Sequence, residues 1–193
     1  MSLQASVFKN RGLLLSLPAG LLALCGRPSA RSIALGLPLA IAGELIRCWA
    51  VGYSGVTTRN DVVNAPKLVT AGPYAHVRNP LYLGNFVTAA GYALAFTGRN
   101  SRFARAALVG GSLAAMAALY AAIVPHEEAF LRSQFGDEFE RYCERVPRIV
   151  PSLEPAAGGQ GEWQVDALIS AESKTFALFG AMLAALAVRA RRA

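Results

Sequence analysis

Apolar residues gather into five stretches of helical length along this chain, at 12–26, 32–53, 81–98, 103–125 and 175–188, separated by short polar connectors marked by Gly or Pro. A globular core draws apolar positions from the whole chain at helical or strand period, whereas unbroken runs suit segments surrounded by hydrocarbon. A helix that crosses a bilayer needs about 20 apolar residues, with about 17 as the low limit, so the first and last runs are short for the task. Lipid offers backbone groups no partner, which leaves helices that satisfy their own hydrogen bonds. Gly84, Gly91, Gly110 and Gly111 lie within the runs and suit close helix packing. The pattern predicts an all-α integral membrane helix bundle with about five transmembrane helices.

Two readings fit the first run. It is either a retained span, kinked at Pro18 and anchored by Arg27 and Arg31, or a signal peptide in which Lys9 and Arg11 precede an apolar stretch ending near Ser29 and Ala30. The second run carries Glu44 and Arg47, three residues apart and so on one helical face. They form a structural ion pair or line a polar cavity, since a charge within a membrane helix is costly unless it is paired.

Composition agrees with the pattern: 54% of the 193 residues are hydrophobic and 16% charged. A formal net charge of +7 would suit nucleic acid, but the cations are spread over every polar segment, without a basic patch interleaved with aromatics. Nucleic acid is therefore not an expected partner. Cys25, Cys48 and Cys143 have neither metal-ligand nor redox spacing. With five spans, the Lys and Arg residues divide ten to eight between the two sides, which does not orient the chain. The span count does place the segments after runs two and four on the same side, where they can build one site.

The first of these segments, 66–84, contains Gly72-Pro73 and Asn79-Pro80. Pro is tolerated in the first turn of a helix, so run three should begin at Pro80 with Asn79 as its N-cap. Tyr74, His76, Arg78, Asn79 and Tyr82 then crowd a helix mouth, where exposed amides favour an anionic or polar ligand. Tyr and Arg also serve as interfacial anchors, and spacing alone leaves both readings open. The second segment, 126–151, places Leu131, Phe135, Phe139 and Tyr142 at helical spacing, with a break expected at Gly136. Glu127 and Glu128 fall just past run four, where a carboxylate is expensive unless it meets a cation. They are either the solvated start of a helix or a pair that holds a cationic ligand. A metal site is not expected, because adjacent residues on a helix point in different directions.

Together the two segments resemble the signature of integral-membrane isoprenylcysteine carboxyl methyltransferases and the related phospholipid methyltransferases. The first matches at Leu68, Val69, Thr70, Gly72, Tyr74, Arg78, Asn79, Pro80, Tyr82 and Gly84. The second matches at Glu127-Glu128, Phe135-Gly136-Asp137-Glu138-Phe139, Tyr142 and Arg145-Val146-Pro147. The resemblance covers about 85 residues, with Asn79 where eukaryotic members have His, and with Ile123 near the place of an Arg that precedes the acidic pair.

The resemblance implies transfer of a methyl group from S-adenosyl-L-methionine to a lipophilic acceptor entering from the bilayer, in a multi-pass protein with its active site on the cytoplasmic face. Short cytosolic helices would form the cofactor site. Cofactor contacts would fall on Leu68, Val69, Tyr74, Asn79, Pro80, Leu81, Tyr82, Glu127 and Glu128. By the donor's charges, Arg78 or a helix-mouth amide would receive its carboxylate, and His76 would act as base for a phenol or amine acceptor. The expected organisation is a membrane methyltransferase domain over 1–154, a linker over 155–174, and a C-terminal hydrophobic helix over 175–193 that packs or dimerises. A membrane reductase of the sterol-reductase type, using NADPH, shares the Tyr142-Cys143 and Val146–Ile149 patterns and is the alternative. A non-catalytic protein of the same fold is a third.

Overall fold

The computed structural model describes residues 11–55 and 65–192, so Lys9 and Arg59, counted above among the cations, lie outside the described residues. Among the described residues there are six α-helices and the 3-10 turn Gly72–Ala75, and no strand. The helices are α1 Arg11–Cys25, α2 Ala30–Ser54, α3 Pro80–Phe96, α4 Arg102–Phe135, α5 Asp137–Arg145 and α6 Val165–Arg191. All five apolar runs are helical. Three of the helices, α2, α4 and α6, are long and apolar enough to cross a membrane, whereas α1 and α3 have 15 and 17 residues.

Local chemistry explains where the helices start and stop. Ser29 and Ser32 close a reciprocal capping box at the head of α2, satisfying amides that the first turn leaves without partners. The Ser101 hydroxyl accepts from the Ala104 amide at the head of α4. Pro80 opens α3 as expected, and Asn79 is its N-cap residue. The Asn79 side chain makes no capping bond, however, and donates to the Arg148 carbonyl at 3.3 Å instead.

α2 and α3 pack antiparallel along a seam of small residues. Gly36 faces Gly91 and Ala95, while Gly43 faces Gly84 and Thr88, so that a methyl group on any of the four glycines would strike the opposite backbone or a tightly held neighbour. Both pairs are seven residues apart, two helical turns, which keeps the seam on one face over its length. Gly84 also leaves room for the aliphatic stem of Arg47. Gly110 and Gly111, expected to serve the same purpose, face open space among the described residues.

Two helices extend beyond the apolar runs that announced them. α4 continues through Pro125 to Phe135 and stops at Gly136, whose φ of 50° is a left-handed conformation that favours glycine. Glu127 and Glu128 are therefore inside a helix, where the sequence had suggested a position past its end. α6 begins at Val165, ten residues before the apolar run at 175, because the charge of Glu172 is satisfied by Arg47 of α2 and need not interrupt the helix. At its far end Arg189 donates twice to the Gly26 carbonyl, at 2.7 and 2.9 Å, which ties α6 to the end of α1. Leu22, Tyr92, Phe96, Met182 and Leu186 form the core between these elements.

Residues 152–164, of which those from 155 on belong to the expected linker, form a strap across the first polar segment. The Ser152 amide donates to the His76 carbonyl and the Ala156 amide to the Ala75 carbonyl, both at 2.9 Å. The Gln160 carbonyl accepts from the Thr70 and Ala71 amides, and the Gln164 amide donates to the Gly52 carbonyl. Trp163 lies over Gly52, in the space that a side chain there would occupy.

Candidate functional site

The site forms where the mouth of α3 meets the last turns of α2 and α4. Gly72, at φ 61°, turns the chain into the 3-10 turn, and the Tyr53 ring occupies the space beside it that any side chain would need. Beyond that turn the chain passes His76 and Arg78 before entering α3, so the polar residues of the segment converge on one mouth.

Tyr82, in the first turn of α3, donates its hydroxyl to Glu127 Oε1 at 2.6 Å. Its ring lies 4.6 Å from that of Tyr120, centroid to centroid. A phenol bonded to a carboxylate is a charge-assisted pair, short and stronger than a neutral one. Tyr74 sits nearby, its phenol pushed up to about 12 by burial; the Glu127 charge adds to the shift, while a Ser54 hydrogen bond and the Arg47 charge oppose it. Tyr142 donates to the Tyr74 carbonyl at 2.8 Å, and burial raises the Tyr142 phenol as well.

His76 is held by its Nδ1, 2.9 Å from the Ser152 carbonyl. A carbonyl only accepts, so Nδ1 carries the proton, and Nε2 is the nitrogen with a lone pair in the neutral ring. The Trp49 ring stands 6.1 Å away, centroid to centroid.

Arg78 and Glu128 form a second group with a different task. Arg78 Nε donates to Glu128 at 3.1 Å, and Nη1 donates to the carbonyls of Cys143 and Val146 at 3.1 and 2.9 Å. Arg148 approaches Glu128 from the other side, at 3.1 and 2.5 Å. Glu128 is buried, and a buried carboxylate costs several kcal/mol unless it is paired and hydrogen-bonded, a condition the two guanidiniums meet. The cluster clasps α4 to the chain entering α3 and to the end of α5 and the chain leaving it. The guanidinium expected to receive a ligand carboxylate is thus already engaged, and so is the second acid of the expected pair.

Leu68 is buried in a third group with Phe139, Tyr142 and Val146. Its outer side lines an open groove of about 410 Å³, bounded by Thr70, Arg141, Arg145 and Gln160. Val69 lies beside Gly161 of the strap. Pro80 is buried, and Leu81 is half-buried at the mouth. The structure thus brings Tyr74, Tyr82 and Glu127 together, sets His76 against Ser152 and Trp49, and uses Arg78 and Glu128 as a clasp. No group of three His, Cys, Asp or Glu side chains suited to a metal occurs among the described residues.

Sequence reasoning missed several residues at this site. Arg148 stood in a recognised motif but was given no partner. Glu172 is a buried carboxylate in the first half of α6, just before the apolar run, and Arg47 receives it at 2.7 Å. Asn85, one turn along from Tyr82, accepts from the other end of the same guanidinium.

The phospholipid methyltransferase family model matches residues 31–138. The chain is 32% identical over 131 residues to the cobalt-zinc-cadmium resistance protein CzcN of Cupriavidus metallidurans, covering 68% of this chain and 52% of that protein. A probable protein-S-isoprenylcysteine O-methyltransferase of Oryza sativa subsp. indica is 31% identical over 124 residues, covering 62% and 61%. The protein-S-isoprenylcysteine O-methyltransferase of Schizosaccharomyces pombe is 34% identical over 115 residues, covering 58% and 46%. The chain therefore spans about half to three-fifths of the length of these relatives. The matched residues contain the glycine seam of α2 and α3, the helix mouth at Asn79-Pro80 and the Tyr82–Glu127 pair, and by that match the chain belongs to the phospholipid methyltransferase family.

Proposed function

We propose that this chain is a multi-pass membrane methyltransferase that takes its methyl group from S-adenosyl-L-methionine on the cytoplasmic face and passes it to a lipophilic acceptor. The observation that carries the reading is the Tyr82–Glu127 pair at the mouth of α3. A carboxylate held beside helix amides that have no partner within the helix fits a ligand bearing both an ammonium and a carboxylate. When bound, the donor supplies an activated methyl group on a sulfonium.

Glu127 receives the ligand's cation, oriented by the Tyr82 hydroxyl. The amides of the first turn of α3, Leu81 and Tyr82 among them, receive its carboxylate in place of Arg78, which clasps Glu128. Tyr74 and the Trp163 strap limit the entry of water, which would compete as a nucleophile. Leu68 and Val69 give the adenosine an apolar edge, as the family resemblance implies. Direct displacement needs alignment and no covalent intermediate on the protein. A carboxylate acceptor needs no base. A phenol or amine loses its proton to His76 Nε2, whose ring is fixed by the bond at Nδ1. The methyltransferase unit of this reading includes the strap and α6 as well as the helices before residue 154. The outer face of α6, with Phe176, Leu178, Leu183 and Val188 exposed, is left for lipid or a second copy.

Calorimetry of the purified protein in detergent, with S-adenosylhomocysteine and with NADPH, tests the reading. Binding of S-adenosylhomocysteine alone is expected. Binding of NADPH alone would move the protein to the reductase reading, and binding of neither would make it a non-catalytic member of the family.

A further inference from the structure

The chain that leaves α5 carries an apolar tip that the described residues leave uncovered. Ile149, Val150 and Leu153 are 70, 75 and 98% exposed, and Pro151 among them is exposed as well. No charge falls between Arg148 and Glu154. The one polar side chain of the stretch, that of Ser152, turns inward onto the His76 carbonyl. A loop surrounded by water gains from the opposite arrangement, because aliphatic side chains left in water forfeit their transfer free energy.

Both flanks of the tip are pinned, so the exposure is built into the fold. Before the tip, the Pro147 carbonyl accepts from the Arg78 amide at 2.9 Å, and the Arg148 carbonyl accepts from the Asn79 side chain at 3.3 Å. After it, the Ser152 amide donates to the His76 carbonyl and His76 Nδ1 donates to the Ser152 carbonyl, both at 2.9 Å. The apolar side chains therefore cannot fold back without breaking the bonds that hold the mouth of α3.

The same bonds set the level of the tip relative to the helices. The His76 ring stands 6.1 Å from that of Trp49, centroid to centroid. Trp49 lies five residues before the end of α2, about 7.5 Å by helical rise, and α2 is long and apolar enough to cross a membrane. Ile41, Leu45 and Trp49 are four residues apart and all exposed, which makes them one flank of α2 turned towards lipid. Trp49 heads that flank, and Trp concentrates where hydrocarbon gives way to headgroups. Through His76 the tip is joined to the head of this lipid-facing flank.

We propose that Ile149, Val150 and Leu153 insert into the headgroup and upper acyl layer of the leaflet in which Trp49 sits, so that the loop after α5 anchors the mouth to the membrane surface. Phospholipid is the occupant because the patch continues a surface already in contact with lipid and carries no charge of its own that would call for a matching protein surface. The inference needs a membrane-spanning α2 and is independent of the reaction proposed above.

Photocrosslinking in vesicles tests this. p-Benzoylphenylalanine replaces Val150, Leu153 or Glu144 in turn in the full chain, and each protein is reconstituted into phosphatidylcholine vesicles, irradiated and weighed by intact mass spectrometry. All three side chains are exposed, so the replacements leave the packing in place, and Ile149 serves instead if either tip variant does not reconstitute. Lipid adducts from Val150 and Leu153 are expected at yields at least about fivefold above that from Glu144, on the charged face of α5. A covalent dimer through the tip would overturn the proposal by assigning the patch to a second copy. Lipid yields no higher than that from Glu144, or no lipid adduct at all, would overturn it as well. Failure of S-adenosylhomocysteine to bind would count against the donor reading and leave these adducts unchanged.

Discussion

Tyr82 of α3 donates to Glu127 of α4 across 2.6 Å, and this contact joins the helix that opens the mouth to the helix that carries the acidic pair. The neighbouring Glu128, one residue on, points into the Arg78 and Arg148 clasp. Adjacent carboxylates on one helix thus serve separate tasks because they leave the helix about 100° apart.

Glu127→Gln should weaken S-adenosylhomocysteine binding by about 1.5–3 kcal/mol, roughly tenfold to 150-fold, by removing a charge-assisted contact. Calorimetry measures this directly. Unchanged affinity in the variant would remove Glu127 from the donor site.

Glu128→Gln should act on stability. It leaves Arg78 with a neutral partner in a buried setting, and breaking such a pair costs about 3–5 kcal/mol. Thermal unfolding in detergent should show a large fall in Tm for Glu128→Gln and a small one for Glu127→Gln. The reverse order would mean that the clasp lies at the wrong carboxylate.

The seam between α2 and α3 makes a steric prediction. Gly91→Ala places a methyl group against the Ala40 backbone and should cost about 1–3 kcal/mol or more through forced separation of the helices. Gly110→Ala, with open space around it, should be neutral or slightly stabilising, since Ala is the better helix former. Comparable unfolding temperatures for the two variants would argue against the seam.

Tyr74 supplies a pH dependence at the alkaline end. Its folded value is raised from the usual 10 to about 12, so its contribution to stability is fully present below about pH 10 and is lost as the pH rises through about 12. Spectroscopic titration should therefore show a late fraction of phenolate formation that coincides with unfolding, and Tyr74→Phe should reduce that fraction. Simple ionisation of all tyrosines near pH 10 would contradict the buried phenol.

α6 starts at the mouth and ends beside α1, where Arg189 holds the Gly26 carbonyl. With the mouth on the cytoplasmic face, the C-terminus emerges on the opposite side. In a bacterial host a C-terminal alkaline phosphatase fusion should be active, and a C-terminal fluorescent-protein fusion dark. The opposite result would place the mouth outside, away from the supply of donor.

The helices were legible because each apolar run is long enough to imply a helix by itself, and Asn79-Pro80 and Gly136 marked boundaries through the conformational limits of Pro and Gly. The convergence of Tyr82 and Glu127 was legible as well, because the span count put their segments on one side. The partners of Arg78 were not legible: a cation in a motif reads as a ligand contact, and only the fold shows that Glu128 and two carbonyls surround it. Glu172 was passed over for a related reason. Its charge interrupts the apolar run that would have placed it in the helix, and the partner that makes it tolerable lies 125 residues away. Long-range pairing of this kind leaves no periodic trace.

The strap at 152–164 also has a bearing on how the protein is made. During synthesis the helices α1 to α4 and both motif segments leave the ribosome before the residues that bond to Thr70, Ala75, His76 and Gly52. Until those last residues arrive, the nascent chain has its motif side chains but an open mouth. A stop codon just after Pro151 would keep the motif residues named here and yield a protein whose site never closes.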